Sequence, residues 1–164
     1  MLEILYEAER LLPKLLETED GWTGLFADTE KPALTRVWRQ WGERRINLHS
    51  FGPCSHGQVF AHPHPWQSAV RTWGDYEMGI GQSDDPAGPL FFERMVLKPG
   101  SVYAITNAKS WHWVRPAGAG SDSVMVSGPP IYPQNRIHAN TPVRSLTRAE
   151  ILGMLEYFKR YYPH

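Results

Sequence analysis

The sequence predicts a mainly β protein, a β-barrel or sandwich with one helix at each end. Short runs with a period of two occupy residues 35–127, and each run is bounded by Gly, Pro, Asp or Asn. The chain contains 14 Gly and 14 Pro among 164 residues, which favours many short strands over long helices. Helical periodicity is confined to residues 1–20 and 147–161. The length suits one domain over residues 1–164.

Apolar residues in the N-terminal segment 1–20 recur at three- and four-residue spacings, which predicts an amphipathic helix over residues 2–19. These residues are Leu5, Ala8, Leu12, Leu15 and Leu16. Pro13 lacks a backbone N–H, so we expect a kink there or the start of a second short helix. Residues 20–35 contain two glycines and a proline, and this stretch is predicted to be irregular.

From residue 35 onward, apolar and polar side chains alternate as they do in half-buried strands. The runs 36–41 and 45–49 flank Gly42, which predicts a hairpin turn. Further runs of this kind cover residues 58–60, 68–73, 76–80, 91–97, 101–106, 111–114 and 123–127. Roughly eight or nine strands at this spacing are typical of a barrel or sandwich. Residues 35–127 are therefore predicted to form the β-barrel core.

A proline-rich segment and a helix follow the predicted barrel core. Residues 128–144 contain four prolines, and because proline cannot donate to a β-ladder we expect an extended segment across the barrel surface. Thr147 and Glu150 have the spacing of a capping box, which predicts that a helix over residues 147–161 begins here. The apolar face of this helix consists of Ile151, Leu152, Leu155 and Phe158.

Charge, cysteine content and the N-terminal composition limit the function classes. The 17 Lys and Arg residues balance the 17 Asp and Glu residues, so no basic excess attracts nucleic acid or an anionic membrane. Cys54 alone forms neither an intramolecular disulfide nor a Cys-rich zinc site. No apolar run reaches the ~18 residues of a membrane span. Six acidic residues among the first 20 do not fit a signal peptide, and we expect a cytoplasmic protein.

Three histidines carry the most specific chemical signal. His62 and His64 are two residues apart, and on a strand such side chains share a face. His112 lies in another β-type run, and three imidazoles meet inside the barrel if that strand is adjacent. Such a set suits Fe, Zn, Ni, Cu or Mn and leaves coordination positions open. The alternative is that His62 and His64 lie at a strand end and only form hydrogen bonds.

These stretches resemble the two sequence motifs of the cupin family. The first motif, a glycine followed by His-x-His, is matched within residues 57–64. The second motif, a Pro-Gly turn into a strand with a histidine about a dozen residues on, is matched by residues 99–112. The resemblance covers residues 45–127. It implies a double-stranded β-helix, or jelly-roll barrel, with a metal near its centre and a homodimeric assembly.

The carboxylate ligand of the cupin family is missing from its usual place. Where the family has Glu, four or five residues after the second histidine, this chain has Ser68 or Ala69. Counting back from the turn glycine Gly74 places Gln67 there, and its amide oxygen is a weak, uncharged ligand. Some sugar-isomerising cupins take this carboxylate from further along the chain, which makes Glu77 the second candidate.

Strand parity leaves the choice between Gln67 and Glu77 open. If Ser68 continues the histidine face, pairing across the following turn places Glu77 on the inner face. If Gln67 faces inward instead, Glu77 points outward. In that case the side chains that line the core are Tyr76, Met78 and Ile80. The first arrangement gives the better metal site, and the second gives the better apolar face.

Two further residues are weaker candidates for the catalytic set. Arg71 is a candidate for binding an anionic substrate group through its planar fork, and the alternative is an exposed arginine on a strand. Tyr103 lies near the second motif and is a candidate for the pocket wall, with packing in the barrel core as the alternative. His49 has no convergent partner in the sequence pattern, and we expect a surface or structural role for it.

Three functions are consistent with these residues. The first is a non-haem iron dioxygenase, because cupins that hold the metal with three histidines and no carboxylate include dioxygenases. The second is a sugar isomerase or epimerase with Glu77 as metal ligand or general base. The third is a non-catalytic barrel that binds a small ligand. Fe is the expected cofactor, with Zn, Mn or Ni as alternatives, and the expected partners are a small-molecule substrate and a second copy of the chain.

Overall fold

A computed structural model describes residues 1–27, 33–54, 61–64, 66–85, 87–130 and 142–163. Its helices are α1 (Leu2–Leu15) and α2 (Arg148–Lys159). Its strands are β1 (Trp22–Ala27), β2 (Leu34–Trp41), β3 (Arg44–Phe51), β4 (His62–Pro63), β5 (Trp66–Thr72), β6 (Tyr76–Gln82), β7 (Glu93–Leu97), β8 (Val102–Ile105), β9 (Ser110–Pro116), β10 (Ser121–Pro130) and β11 (Val143–Ser145). Within these described ranges, neither helix has the length and apolar character needed to cross a bilayer.

The strands form two antiparallel sheets between which the chain repeatedly crosses. The large sheet has the order β11-β1-β2-β3-β10-β5-β8, and the small sheet has the order β4-β9-β6-β7. From β4 in the small sheet the chain passes to the large sheet for β5 and returns to the small sheet for β6 and β7. It then enters the large sheet for β8, the small sheet for β9 and the large sheet again for β10. This crossing pattern is that of a jelly roll, so the predicted fold class, mainly β with a helix at each end, is confirmed.

The main apolar core lies between the large sheet and the two helices, rather than between the two sheets. Its buried members include Leu5, Ala8 and Leu12 of α1, Val37, Ile46, Leu48, Ala69, Val124 and Val126 of the large sheet, and Leu155 and Phe158 of α2. Because side chains alternate along a strand, the sheet residues of this cluster define one face of the large sheet, its outer face.

The opposite, inner face of the large sheet carries buried polar side chains. They are Asn47 and His49 of β3, Ser68 and Thr72 of β5, and Ser123 and Ser127 of β10. This face is turned toward the small sheet, because the Tyr103 hydroxyl of β8 lies 2.8 Å from the Tyr76 hydroxyl of β6. The barrel interior is therefore polar along much of the large sheet.

The sequence-based prediction of the N-terminal third needs two corrections. Residues 20–35 were predicted to be irregular, yet Trp22–Ala27 form strand β1. Gly24 does not break this strand, because a Cβ there would lie 2.9 Å from the Arg36 carbonyl oxygen and the pairing needs a glycine. Pro13 starts no second helix, because it lies in the last turn of α1 before the chain leaves the helix at Leu16.

Both ends of the predicted proline-rich segment, residues 128–144, lie in strands. Strand β10 continues to Pro130, between β3 and β5, with a register shift between Ser127 and Pro130. Strand β11 then adds Val143–Ser145 to the edge of the large sheet beside β1. The intervening residues 131–141, and the predicted run 58–60, lie outside the described residues.

Two local predictions are confirmed by the backbone. Gly42 has a φ of 58° in the turn that joins β2 to β3, a left-handed conformation that glycine adopts at little cost. Thr147 caps α2 through its hydroxyl, which accepts from the Glu150 N–H, while the Glu150 carboxylate accepts from the Thr147 N–H at 2.8 Å. This reciprocal pair is the capping box that the spacing predicted.

Candidate metal centre

The structure brings His62, His64 and His112 together inside the barrel. Strand β4 pairs with β9 so that His62 lies directly opposite His112. The Nε2 atom of His112 is 2.9 Å from Nε2 of His62 and 3.3 Å from Nδ1 of His64. The three ring nitrogens thus converge on one region, although the two motifs are about 50 residues apart, as the separation of His62 and His112 shows.

His64 lies at the corner where the chain leaves the small sheet for the large one. Its backbone N–H donates to the Ser110 carbonyl at 2.8 Å, which continues the β4–β9 ladder by one residue. Its Nε2 lies 2.8 Å from the Ser68 hydroxyl of β5. When Nε2 carries the proton, Ser68 accepts it and the lone pair of Nδ1 is turned toward His112.

Burial keeps the rings of His64 and His112 neutral. Desolvation, followed by the proximity of His62, lowers the pKa of His64 to about 3. The same two causes hold the pKa of His112 well below its usual range. Neutral imidazole is the form that binds a metal ion, so these rings need not lose a proton before ligation.

The residues present fit a divalent transition metal. Two nitrogens bound to one ion at 2.0–2.1 Å lie roughly 3.0–3.4 Å apart, close to the two separations seen here. The buried Nδ1 of His112 has no hydrogen-bond partner among the described residues. Within that part of the chain, no group of three or more His, Cys, Asp or Glu side chains is already spaced to enclose an ion. Metal binding therefore requires the three rings to turn toward a common centre.

The structure does not bring Gln67 or Glu77 to the histidines. Gln67 is exposed and lies on β5 beside Ser68, whose side chain points inward. Glu77 points away from the interior and pairs with Arg94 and Arg115, each at 3.0 Å. Neither of the two side chains proposed as a fourth ligand therefore lies at the candidate metal centre.

The parity argument for Glu77 fails because β5 and β6 do not pair. Strand β5 lies in the large sheet between β10 and β8, whereas β6 lies in the small sheet between β9 and β7. Ile80 of β6 is opposite His112, so the alternate residue Glu77 is on the outer face. Ser68 and Ile80 consequently both face inward. The sequence-based arrangements had instead paired an inward Ser68 with Glu77, or an inward Gln67 with Ile80.

Another carboxylate, Glu93, lies on the same sheet face as His112. It is opposite Ile80, which in turn is opposite His112, and so it occupies the same row of the small sheet. Its side chain is exposed on the edge strand β7, two strands from the histidine. Glu93 therefore does not replace the missing carboxylate ligand.

Arg71 lies on the outer face and anchors helix α1. Its Nη2 and Nε donate to the Glu9 carboxylate, at 3.0 and 2.5 Å, and its Nη1 donates to the Gly100 carbonyl at 3.1 Å. The side-chain hydrogen bond to Glu9 raises the pKa of Arg71 above its usual value. Its predicted role in binding an anionic substrate group in the interior is not supported, because the Glu9 carboxylate already occupies its guanidinium.

We expect a double-mutant cycle on Arg71→Ala and Glu9→Ala to give a coupling free energy of about 1.5–3 kcal/mol, as for charge-assisted hydrogen bonds that are partly buried. The free energy of unfolding measured in urea gives this quantity. Metal content should stay at the wild-type level in both single variants. Loss of metal in Arg71→Ala with an intact fold would contradict the placement of Arg71 on the outer face.

Tyr103 faces the barrel interior, as the pocket-wall prediction requires, but its hydroxyl is already paired. It lies 2.8 Å from the Tyr76 hydroxyl. Burial raises the pKa of Tyr103 to about 12, and burial together with Tyr103 raises that of Tyr76 well above its usual value. Both phenols are neutral hydrogen-bonding groups that connect the two sheets across the interior.

His49 and Arg36 are interior residues that the sequence pattern did not identify. His49 is 5% exposed, and its Nδ1 lies 3.3 Å from the Ser123 hydroxyl. Arg36 is its direct neighbour on β2. The signal was present in the alternation of polar and apolar residues from Arg45 to His49, but the polar side of such a strand is ordinarily assigned to solvent. Of the two roles expected for His49, surface or structural, burial therefore excludes the surface position.

Comparisons with known proteins return similar structures at low identity. No family model and no curated protein matches the sequence. Hydroxypropylphosphonic acid epoxidase from S. wedmorenis is 10% identical with a TM-score of 0.48, over 65% of this chain and 55% of the epoxidase. A tryptophan-to-tyrosine variant of oxalate decarboxylase from Bacillus subtilis is 13% identical with a TM-score of 0.49, over 67% of this chain and 29% of that one.

A third similar structure is a conserved protein of unknown function from Streptococcus pyogenes. It is 19% identical with a TM-score of 0.43, over 59% of this chain and 75% of that protein. The present chain spans about half the length of the epoxidase structures.

The fold follows from the topology described above. Two facing antiparallel sheets exchange the chain as in a jelly roll, and the residues at both cupin-like motifs converge in the interior. The chain therefore has a jelly-roll fold, as the resemblance to the cupin motifs implies.

Proposed function

We propose that this chain is a metal-dependent enzyme that holds one divalent transition metal with His62, His64 and His112 and acts on a small polar molecule. The observation that carries the proposal is the convergence of these three rings, with ring nitrogens 2.9 and 3.3 Å apart in a partly buried position. Structural histidines more often donate to a carbonyl or carboxylate than to one another. Three ring nitrogens that face one another are better satisfied by a cation.

The first assignment is a non-haem iron dioxygenase. The ligand set is three neutral nitrogens without a carboxylate, and it leaves coordination positions for a substrate and dioxygen. Iron(II) bound there would supply the redox chemistry that activates dioxygen. In a dioxygenase both oxygen atoms enter the substrate, and the substrate itself provides the electrons, so no external reductant is needed. Zn, Mn or Ni would favour a reaction without oxygen.

The chain's own residues would position the ligands and exclude water. Ser68 holds the ring of His64 through Nε2, and Trp66 packs edge-on against that ring at a centroid distance of 5.9 Å. Met78 is 1% exposed on the inner face of the small sheet. One of the Tyr76 and Tyr103 hydroxyls donates to the other, which leaves one neutral O–H in the interior that would be available to orient a bound oxygen atom.

The two other hypotheses have less support. An isomerase that uses Glu77 as ligand or base lacks that residue at the site, since Arg94 and Arg115 hold its carboxylate on the outer face. A non-catalytic barrel would bind a ligand without any need for the metal. Metal loading distinguishes this last alternative from the enzyme.

We expect the chelator-treated full chain to take up about one Fe(II) per chain under anaerobic conditions and to bind nitric oxide, a surrogate for dioxygen, at the open positions. Elemental analysis measures the first result, and electron paramagnetic resonance of the iron–nitrosyl adduct measures the second. Failure to bind Fe, Zn, Mn or Ni would remove the enzyme proposal. Bound iron that forms no nitric oxide adduct would remove the oxygenase assignment while leaving the metal site in place.

A further inference from the structure

A cationic side chain is turned into the barrel beside the candidate metal centre. Arg36 of β2 is opposite His49 of β3, which is opposite Ser123 of β10, and Ser123 is opposite Thr72 of β5. This row lies on the inner face, because Thr72 is four residues from Ser68 on the same strand and Ser68 contacts His64. Arg36 and His49 therefore share the interior with the three histidines.

Arg36 lacks a counter-ion among the described residues. None of the ion pairs found there includes Arg36, and its buried Nε has no hydrogen-bond partner. Burial and the like charge of Arg45 lower the pKa of Arg36 to about 10, so it remains protonated at neutral pH. Among the described residues, the buried Nε of Arg36 thus has no anionic partner, and an anion there would offset the cost of desolvating the charge.

His49 offers a second unused group at the same place. Its Nε2 is buried without a hydrogen-bond partner in the described part of the chain. When the Ser123 hydroxyl donates to Nδ1, Nε2 carries the proton and becomes a donor. Arg36 and His49 together then present N–H groups from two neighbouring strands, the arrangement that binds the two oxygens of one acid group.

We propose that Arg36 and His49 form a subsite for one oxyanion group, a carboxylate or a phosphate, of the small molecule that reacts at the histidine site. This assignment of substrate class rests on the proposed function, whereas anion binding by Arg36 does not require a metal. Because Arg36 and His49 face the same interior as the three histidines, an anion held by Arg36 would lie on the side of the large sheet that faces the candidate metal centre.

The test is calorimetric titration of the metal-free full chain with acetate and with inorganic phosphate, at constant chloride concentration. The chain is metal-free so that neither acetate nor phosphate can bind to a metal ion. We expect wild type to bind at least one probe and Arg36→Gln to bind it about tenfold or more weakly, because charge-assisted bonds are lost. Arg36→Lys keeps the charge but not the fork and should be weaker by several-fold. The control Arg94→Gln, on the outer face, should bind as wild type does.

The outcomes separate this proposal from the proposed function. Absence of binding of both probes to wild type, or equal affinity in wild type and Arg36→Gln, overturns the anion subsite. If Arg36→Gln does not fold, unchanged affinity in Arg36→Lys overturns it instead. Metal content should be unchanged in the folded Arg36 variants. If the chain binds an anion but takes up no metal, the enzyme proposal is removed and the anion subsite is retained. If the chain takes up metal but binds neither probe, the anion subsite is removed and the enzyme proposal is retained.

Discussion

Replacing His112 by alanine is expected to abolish metal binding while leaving the β-fold intact. Its Nε2 is the atom shared by the two close contacts, with His62 and His64, so its loss leaves two rings without a common neighbour. Changes in groups that only support a ligand already weaken metal affinity 10- to 100-fold. We therefore expect more than about a hundredfold loss for His112→Ala, measured by elemental analysis and by competition with a chelator.

A graded series of variants tests the same site. Ser68→Ala removes only the support of His64 and should weaken metal affinity by about 10- to 100-fold. Glu77→Gln changes a carboxylate on the outer face and should leave affinity at the wild-type value. Wild-type stoichiometry in His112→Ala would show that His112 is not a ligand. Loss of metal in Glu77→Gln would contradict the outward placement of Glu77.

Replacing Phe158 by alanine is expected to lower the free energy of unfolding by about 3–5 kcal/mol. Phe158 of α2 is fully buried in the cluster that joins both helices to the outer face of the large sheet. The truncation leaves a cavity where the helix, the sheet and α1 meet. Since small proteins are stable by only about 5–15 kcal/mol, a large part of the total is lost.

Urea denaturation measures this loss, with Leu152→Ala as the matched control. Leu152 lies on the same helix with 44% of its surface exposed, so its truncation should cost less than about 1 kcal/mol. A loss of that small size in Phe158→Ala would mean that α2 does not pack on the sheet as described. Metal content should be unaffected in both variants, because the core and the histidine site lie on opposite faces of the large sheet.

Local sequence patterns predicted which segments form most of the helices and strands, although the predicted ends differ from the observed ones by up to about four residues. The hairpin at Gly42 and the capping box at Thr147 depend on backbone conformation and on side chains a few residues apart. Strand β1 was missed because its glycine serves a close approach to Arg36 and Leu146, residues that are distant in sequence. Such a contact gives no local signal that distinguishes it from a loop.

The histidine spacing predicted which three residues meet, and the two-residue period alone places His62 and His64 on one face. Their meeting with His112 depends on the pairing of β4 with β9, across about 50 residues. The sequence could suggest that neighbour relationship only through the resemblance of the second motif.

Only the tertiary structure decided which face of each strand is inside. The helices cover the apolar face of the large sheet, so Ile46 and Leu48 lie outside the barrel while Asn47 and His49 line it. A pattern of alternation states that two faces differ, but it does not state which of them a helix will cover.

The same reason explains the misplaced candidates. Gln67, Glu77 and Arg71 were assigned from strand parity or from charge, and the choice of sheet partners turned all three outward. Parity carries across a turn only when the two strands pair with each other, and β5 and β6 belong to different sheets. The local patterns therefore predicted most of the elements and the histidine set, whereas strand pairing and helix packing fixed what surrounds that set.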